Sequence, residues 1–410
     1  MKKNFVFLLI FSLYFSATLT AADIEASVRK ENPTLKLVTS GVSNALQKTL
    51  IHNISTCGWF KLSQAATANY ILNIQGTPEG KFNISILNTA GNLLPRGKYT
   101  HDLSSLKAPW KQHRLIDEVI SRVYSPKSKI CASRIAFCGS RRGIKEIYTI
   151  DFSGAKLNQE TNYRTISVEP TWSPDNRSLS YTVYGRQNTN LIQKDLTTRK
   201  HRLISHFRGL NSSAAFHPKG NKFILTLSKD NNVDLFIMSL GNAKSSLPLT
   251  RDSNIESSPT WSPDGNKVCY VSATMRSNGK VNSPRLYMMD LVAKRAWPLY
   301  RDGIERVSPD WSRNSGLLAY SKRQGRQYVL TICDPANPKQ EKVIANGSGN
   351  WEAPSWAPDG RHIVCTRNSG GRTDLYIIDT LLGTKRQIKL LQKGKPYFDN
   401  LTLPAWSSIY

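Results

Sequence analysis

A seven-residue phrase, Pro259-Thr260-Trp261-Ser262-Pro263-Asp264-Gly265, constrains this chain more than any other feature, because it returns five more times, intact or worn. The other copies centre on Trp172, Phe216, Trp311, Trp356 and Trp406, and successive aromatics stand 44, 45, 50, 45 and 50 residues apart. A repeat of that length without helical periodicity belongs to a propeller blade of four strands. Within each copy, Pro-x-Trp-Ser reads as a short inner strand. Pro-Asp-Gly then reads as a turn: Pro presets φ, Asp bonds its own backbone, and Gly accepts the left-handed region. Second strands follow directly, as in Val268-Cys269-Tyr270, and third strands end on Asp151, Asp195, Asp290, Asp334 and Asp379. An aspartate that recurs once per blade is assigned to a turn rather than to chemistry.

The ends of the repeat array fix its closure. Ile135-Ala136-Phe137-Cys138 and Ile147-Tyr148-Thr149-Ile150-Asp151 are second and third strands with no phrase before them, while Pro404-Ala405-Trp406 is a phrase with no strands after it. The last phrase therefore completes the first blade. The expectation is a six-bladed β-propeller over 128–410, closed by the C-terminal strand 403–410, which leaves no open sheet edge.

Ahead of the propeller, Lys2 and Lys3 precede a short apolar run, and small residues lead to a cut near Ala22, so 1–22 reads as a cleaved secretory signal. Residues 23–127 then read as a small α/β (α+β) N-terminal domain. One helix is expected over 41–54, with Val42, Ala45, Leu46, Thr49, Leu50 and Ile54 on its apolar stripe, and another over 106–124 carrying Trp110, His113, Ile116, Val119, Ile120 and Val123. Three to four strands lie between and before them, with a hairpin turn at Thr77-Pro78-Glu79-Gly80. His113 is expected to be a satisfied core or boundary residue.

The formal net charge is +27, a balance that would suggest nucleic acid in a cytosolic protein. Here the cations are scattered through turns and the chain reads as exported, so a solvated surface is expected and nucleic acid is not a partner. The six cysteines form no CxxC pair and are expected as buried free thiols, with Cys131 and Cys138 the pair to check. No GxSxG elbow, HExxH pair, phosphate-binding glycine loop or zinc spacing occurs, and the seven histidines are dispersed. No enzyme, cofactor or metal is expected; the alternative is an exported propeller enzyme acting on an anionic polymer, or a peptidase accessory.

Binding is expected on the loops that lead into the inner strands, which a rigid ring gathers at one mouth of its channel. The candidate residues there are Glu169, Asn211, Ser212, Glu256, Ser257, Ser258, Arg306, Trp351 and Glu352. Trp351 could anchor a partner or pack between blades.

The stretches Ser133 to Ser140 leading to Asp151, Glu169 to Asn176, Leu247 to Gly265, and the ending Leu403-Pro404-Ala405-Trp406-Ser407 resemble the TolB family of the Tol-Pal system of Gram-negative envelopes. The order of signal, small domain and six-bladed propeller is similar across nearly the whole mature chain. The resemblance implies a non-enzymatic, monomeric periplasmic protein. Its mouth would hold a Pal-like peptidoglycan-associated lipoprotein, and its N-terminal segment, here Ile24, Ala26 and Val28, would dock a TolA-like inner-membrane protein. Two departures bear on those contacts: Leu210 stands where the family commonly has a histidine, and Ser258 where it has an acidic residue.

Overall fold

A computed structural model of the chain describes residues 31–102, 109–125, 127–229, 232–240, 242–274 and 281–408. The signal sequence and Ile24, Ala26 and Val28 lie outside the described residues.

Apolar alternation in the N-terminal domain builds a five-stranded sheet in the order Lys61–Leu62, Thr34–Ser40, Tyr70–Gly76, Lys81–Asn88, Leu93–Asp102. The sequence pattern anticipates three to four strands. The strand missing from that reading is Leu93–Asp102, whose mostly exposed residues, with Pro95 and Gly97 among them, break the apolar alternation; the edge Lys61–Leu62 falls within Trp59-Phe60-Lys61-Leu62, which reads as extended. Ser43 caps the helix Asn44–Thr56 by accepting the Leu46 N–H, and the helix buries Leu46, Leu50 and Ile54 at spacings of four. Ala45, on the expected stripe, is exposed instead. The second helix, Pro109–Val123, buries Leu115, Ile116, Val119 and Ile120 over the same sheet. Gly80, at φ 74°, closes the expected hairpin.

The rest is the six-bladed propeller. Five four-stranded sheets are each formed from consecutive strands, and the sixth has the order Asn400–Trp406, Arg134–Arg141, Ile144–Asp151, Asn158–Gln159. There the last strand pairs antiparallel with the first propeller strand, Thr402 opposite Cys138 and Trp406 opposite Ile135.

The repeated residues hold the blades in two ways. Within blades, the terminal aspartates accept backbone N–H groups of the next turn, as Asp195 does from Thr197 and Thr198, and Asp290 from Val292 and Ala293. Between blades, the indole N–H of Trp172, Trp261 and Trp356 donates to the carbonyl of Ala405, Ala215 and Asp310, each on the preceding inner strand. Trp311 departs from this pattern: its indole donates to Gly316 of its own turn, and its backbone N–H reaches Thr260 Oγ1.

The N-terminal domain packs on the sixth and first blades, and one continuous apolar core joins Leu50, Leu72 and Ile120 to Phe137, Leu375 and Trp406. Polar groups secure the seam. Asp117 accepts the N–H groups of Ile130, Cys131 and Ala132 at 2.7–2.8 Å. His113 is buried, as expected, between Asn53 Oδ1 at 3.0 Å and Lys156 Nζ at 3.3 Å; burial and then Lys156 push its imidazole down to about 4. Trp59 Nε1 donates to Asp359 at 3.0 Å, and Arg361 bridges Asp379 and Asn32. All six cysteines are free and buried. Cys131 neighbours Cys57 rather than Cys138, whose thiol donates to the Ser167 carbonyl at 3.4 Å.

Candidate binding site: the channel and its two ends

Each inner strand carries the same local defect. Three residues before its aromatic, at Glu169, Ser213, Ser258, Ser308, Ala353 and Leu403, the backbone turns to φ between 49° and 56°, and the strand register slips around that point. These are β-bulges, and none of the six is glycine, although a left-handed L-residue costs roughly 1–2 kcal/mol. Such strain survives where the surrounding sheet overdetermines it, and it clusters at functional sites.

The bulges form a ring at one end of the channel, around a cavity of about 180 Å³. Pro170, Pro259, Pro309, Pro354 and Pro404, with Ala214, line both this cavity and the larger one of about 650 Å³ behind it. Glu169 is the one charged residue lining the ring, among the described residues. Its carboxylate accepts the Ser213 N–H at 2.9 Å and the Thr182 hydroxyl at 3.3 Å, which fixes it between two blades.

The nine residues expected at this mouth divide into two groups. Glu169, Ser257, Ser258 and Glu352 are half-buried, and Glu169 and Ser258 line the cavity. Burial raises the Glu352 carboxyl above the usual range. Asn211, Ser212, Glu256, Arg306 and Trp351 are buried side chains. Asn211 accepts from Ser205 Oγ and Phe207 N–H and donates to the carbonyls of Thr189 and Phe207, so it shapes the incoming loop. Glu256 accepts from Ser272, but burial, with Asp252 and Asp234 nearby, pushes it up to about 8. Arg306 makes a two-pronged pair with Asp302 at 2.8 Å and stacks over Tyr300. Trp351 packs edge-on against Tyr376, with ring centroids 5.2 Å apart, so it resolves to packing.

Ser213, Ser308, Ala353 and Leu403 complete the ring: the first three end loops expected at this mouth, though they are not among the nine candidates, and Leu403 opens the expected closing strand. Their signal is positional, since each stands three residues before a repeated aromatic. Only backbone geometry gives that position its meaning.

The far end of the channel faces the interdomain linker. Lys127, Lys129 and Arg313 line it together with one carboxylate, Asp310. Asp310 accepts the Trp356 N–H at 2.6 Å, and burial pushes it up to about 6. Among the described residues no group of three or more His, Cys, Asp or Glu could hold a metal ion, and no helix is long and apolar enough to cross a membrane.

Comparison with known proteins agrees with this architecture. A family model described as the TolB beta propeller domain matches residues 125–409. The Protein TolB homolog of Chlorobium chlorochromatii is 32% identical over 183 residues, 45% of this chain and 40% of that protein. The Tol-Pal system protein TolB of Anaeromyxobacter dehalogenans is 32% identical over 149 residues, 36% of this chain and 34% of that protein. These matches span less than half the length of either relative. In structure, TolB from Acinetobacter baumannii superposes with a TM-score of 0.78 at 20% identity, over 92% of this chain and 97% of that one, and so shares the fold. With a matching family model over most of its length, the chain belongs to the TolB β-propeller family.

Proposed function

We propose that this protein is a non-enzymatic periplasmic scaffold of a Tol-Pal system, exported by a signal cut near Ala22. Its bulge-ringed mouth holds a Pal-like peptidoglycan-associated lipoprotein, and the protein thereby supports envelope integrity and constriction. The observation that carries this reading is the ring of six strained, non-glycine residues around a shallow cavity, repeated in every blade of a member of this family. A rigid rim of backbone and small side chains suits an inserted partner loop, because little ordering entropy is lost on docking. Within the expected set, Glu169, Ser257, Ser258 and Glu352 are the contact residues. Asn211, Ser212, Glu256, Arg306 and Trp351 hold the loops that present them. A TolA-like second partner would dock at Ile24, Ala26 and Val28.

The test is titration of the purified chain with the soluble domain of the Pal-like lipoprotein from the same cell. Glu169→Lys and Ser258→Trp should each weaken binding roughly tenfold or more, as substitutions at an interface centre do. Undiminished binding by both variants, with their melting unchanged, would remove the mouth from the interface.

A further inference from the structure

The linker end of the channel is built unlike the mouth. Among the described residues, four charged ones line its chamber of about 650 Å³, three of them cations. Lys127 and Arg313 are exposed residues and Lys129 is half-buried, and partial burial of the Arg313 guanidinium pulls its pKa below the usual range. None of the three makes an ion pair among the described residues. Two carboxylates are near. Asp310 is hydrogen-bonded to the Trp356 N–H, and Asp117, which attracts Lys129, is occupied by three backbone N–H groups.

Arg313 is also where the repeat breaks. Sister turns place Pro174, Pro218, Pro263 and Pro358 at this position. In those turns the closing bond spans three residues, as from the Gly265 N–H to the Ser262 carbonyl; around Arg313 it spans four, from Gly316 to Ser312. The neighbouring Asn314 lines the chamber and donates to the Lys127 carbonyl at 3.3 Å, so the altered turn and the linker are fastened together. Like charges gathered round one cavity repel each other, and the single carboxylate of the chamber, Asp310, attracts Arg313 but is one charge against three.

We infer that the linker-side chamber is an oxyanion site, in which Arg313, Lys127 and Lys129 receive a carboxylate or phosphate group. The guanidinium supplies a planar fork that matches either oxyanion, and the two ammonium groups add point charges from the linker. The same chemistry could come from the terminal carboxylate of an extended peptide or from free phosphate. Because both lysines sit on the segment joining the domains, an occupied site would draw that segment to the fourth inter-strand turn of the array.

Calorimetric titration of the full mature chain at low salt distinguishes the sources, using inorganic phosphate, N-acetyl-trialanine, and its C-terminal amide. Saturable binding of phosphate identifies a free-anion site; binding of the acid but not the amide identifies a peptide terminus. In either case Arg313→Gln and Lys129→Gln should each weaken binding roughly tenfold, the loss expected for one charge-assisted contact. Lys81→Gln, on the distant hairpin, should leave it unchanged. Thermal melts of the variants, and of Arg313→Pro, which restores the sister-turn residue, check that the fold is intact. No saturation by either probe at ~10 mM, a concentration that would detect even millimolar affinity, overturns the site, as does binding that both substitutions leave unaltered.

Discussion

The phrase Pro-Asp-Gly occurs unaltered at 263–265 and at 358–360, and the two copies have become different things. Asp264 is exposed. It accepts the Ser262 hydroxyl at 2.5 Å and the Asn266 N–H at 3.0 Å, and these bonds shape the turn. Asp359 makes the corresponding turn bond to the Arg361 N–H, but its side chain is wholly buried under the N-terminal domain. There it also receives the Trp59 indole and pairs at 2.6 Å with His362, whose other nitrogen lies 3.6 Å from Asp379. Gly58 presses on that imidazole: a Cβ there would stand 2.3 Å from His362 Nε2. The same tripeptide thus serves as a solvated turn on one side of the ring and as the polar centre of a domain interface on the other. The repeat therefore specifies the strand-turn-strand unit, while its neighbours specify what the turn is used for.

The sharpest way to break this contrast is to remove the seam itself. Deleting 403–410 takes away half of the strand that closes the first blade and part of the shared core beneath the N-terminal domain. The truncated chain should lose the single cooperative transition of the full protein in urea, followed by fluorescence and circular dichroism together. Coincident transitions at the original midpoint would count against closure by this strand.

Next in size is a matched pair of substitutions. Asp359→Asn leaves buried His362 with only the more distant Asp379 and should cost about 3–5 kcal/mol, the range for breaking a buried ion pair. Asp264→Asn should cost no more than about 1 kcal/mol, as for one solvated turn bond. Chemical denaturation of the two variants measures the ratio directly; equal costs would mean that burial under the N-terminal domain adds nothing.

The same cluster has a pH signature. Burial works against a charged imidazole at His362, but Asp359 and then Asp379 outweigh it and raise its pKa to about 9. A group raised above its unfolded value contributes stability that is full below about 6.5 and is lost as pH climbs through about 9. Asp379 is depressed, against the opposing effect of burial, by His362 and Arg361, so its contribution is lost only in acid. The melting temperature should therefore fall between pH 7 and pH 10, by an amount on the order of 2 kcal/mol in stability. His362→Asn should flatten that limb while Asp264→Asn retains it.

Smaller effects belong to the fourth blade. Trp261→Phe removes the indole bond to the carbonyl of half-buried Ala215 and should cost about 1 kcal/mol, as for one ordinary hydrogen bond. Glu256→Gln should act in the opposite direction. A carboxyl raised to about 8 stabilises the fold below about 4.5 and withdraws that support as pH rises through about 8, so the amide variant should melt higher than the parent at pH 8–9. A lower melt at that pH would show that the Glu256 carboxylate is paired rather than merely buried.

Much of this molecule was legible in its residues. The aromatic spacing dictated blades, Pro-Asp-Gly dictated turns, and the unmatched strands at 135–151 with the unmatched phrase at 404–406 dictated six blades and their closure. Those inferences succeed because strand alternation and turn chemistry act over a few residues, within the reach of the sequence itself. The site was less legible. Asn211, Glu256, Arg306 and Trp351 stand in loops that lead into inner strands, but whether a loop side chain faces solvent or its own blade depends on residues twenty or more positions away, such as Thr189, Tyr376 and Glu341.

The repeated unit, its number and its order follow from the residues alone, because each blade's hydrogen bonds and turns are local. Which copy of the phrase lies under the N-terminal domain, which residues bulge into the mouth, and which cations line the linker-side chamber follow only once the ring has closed. Those outcomes depend on burial and on the summed fields of distant groups, which closing the ring brings within a few ångströms of one another.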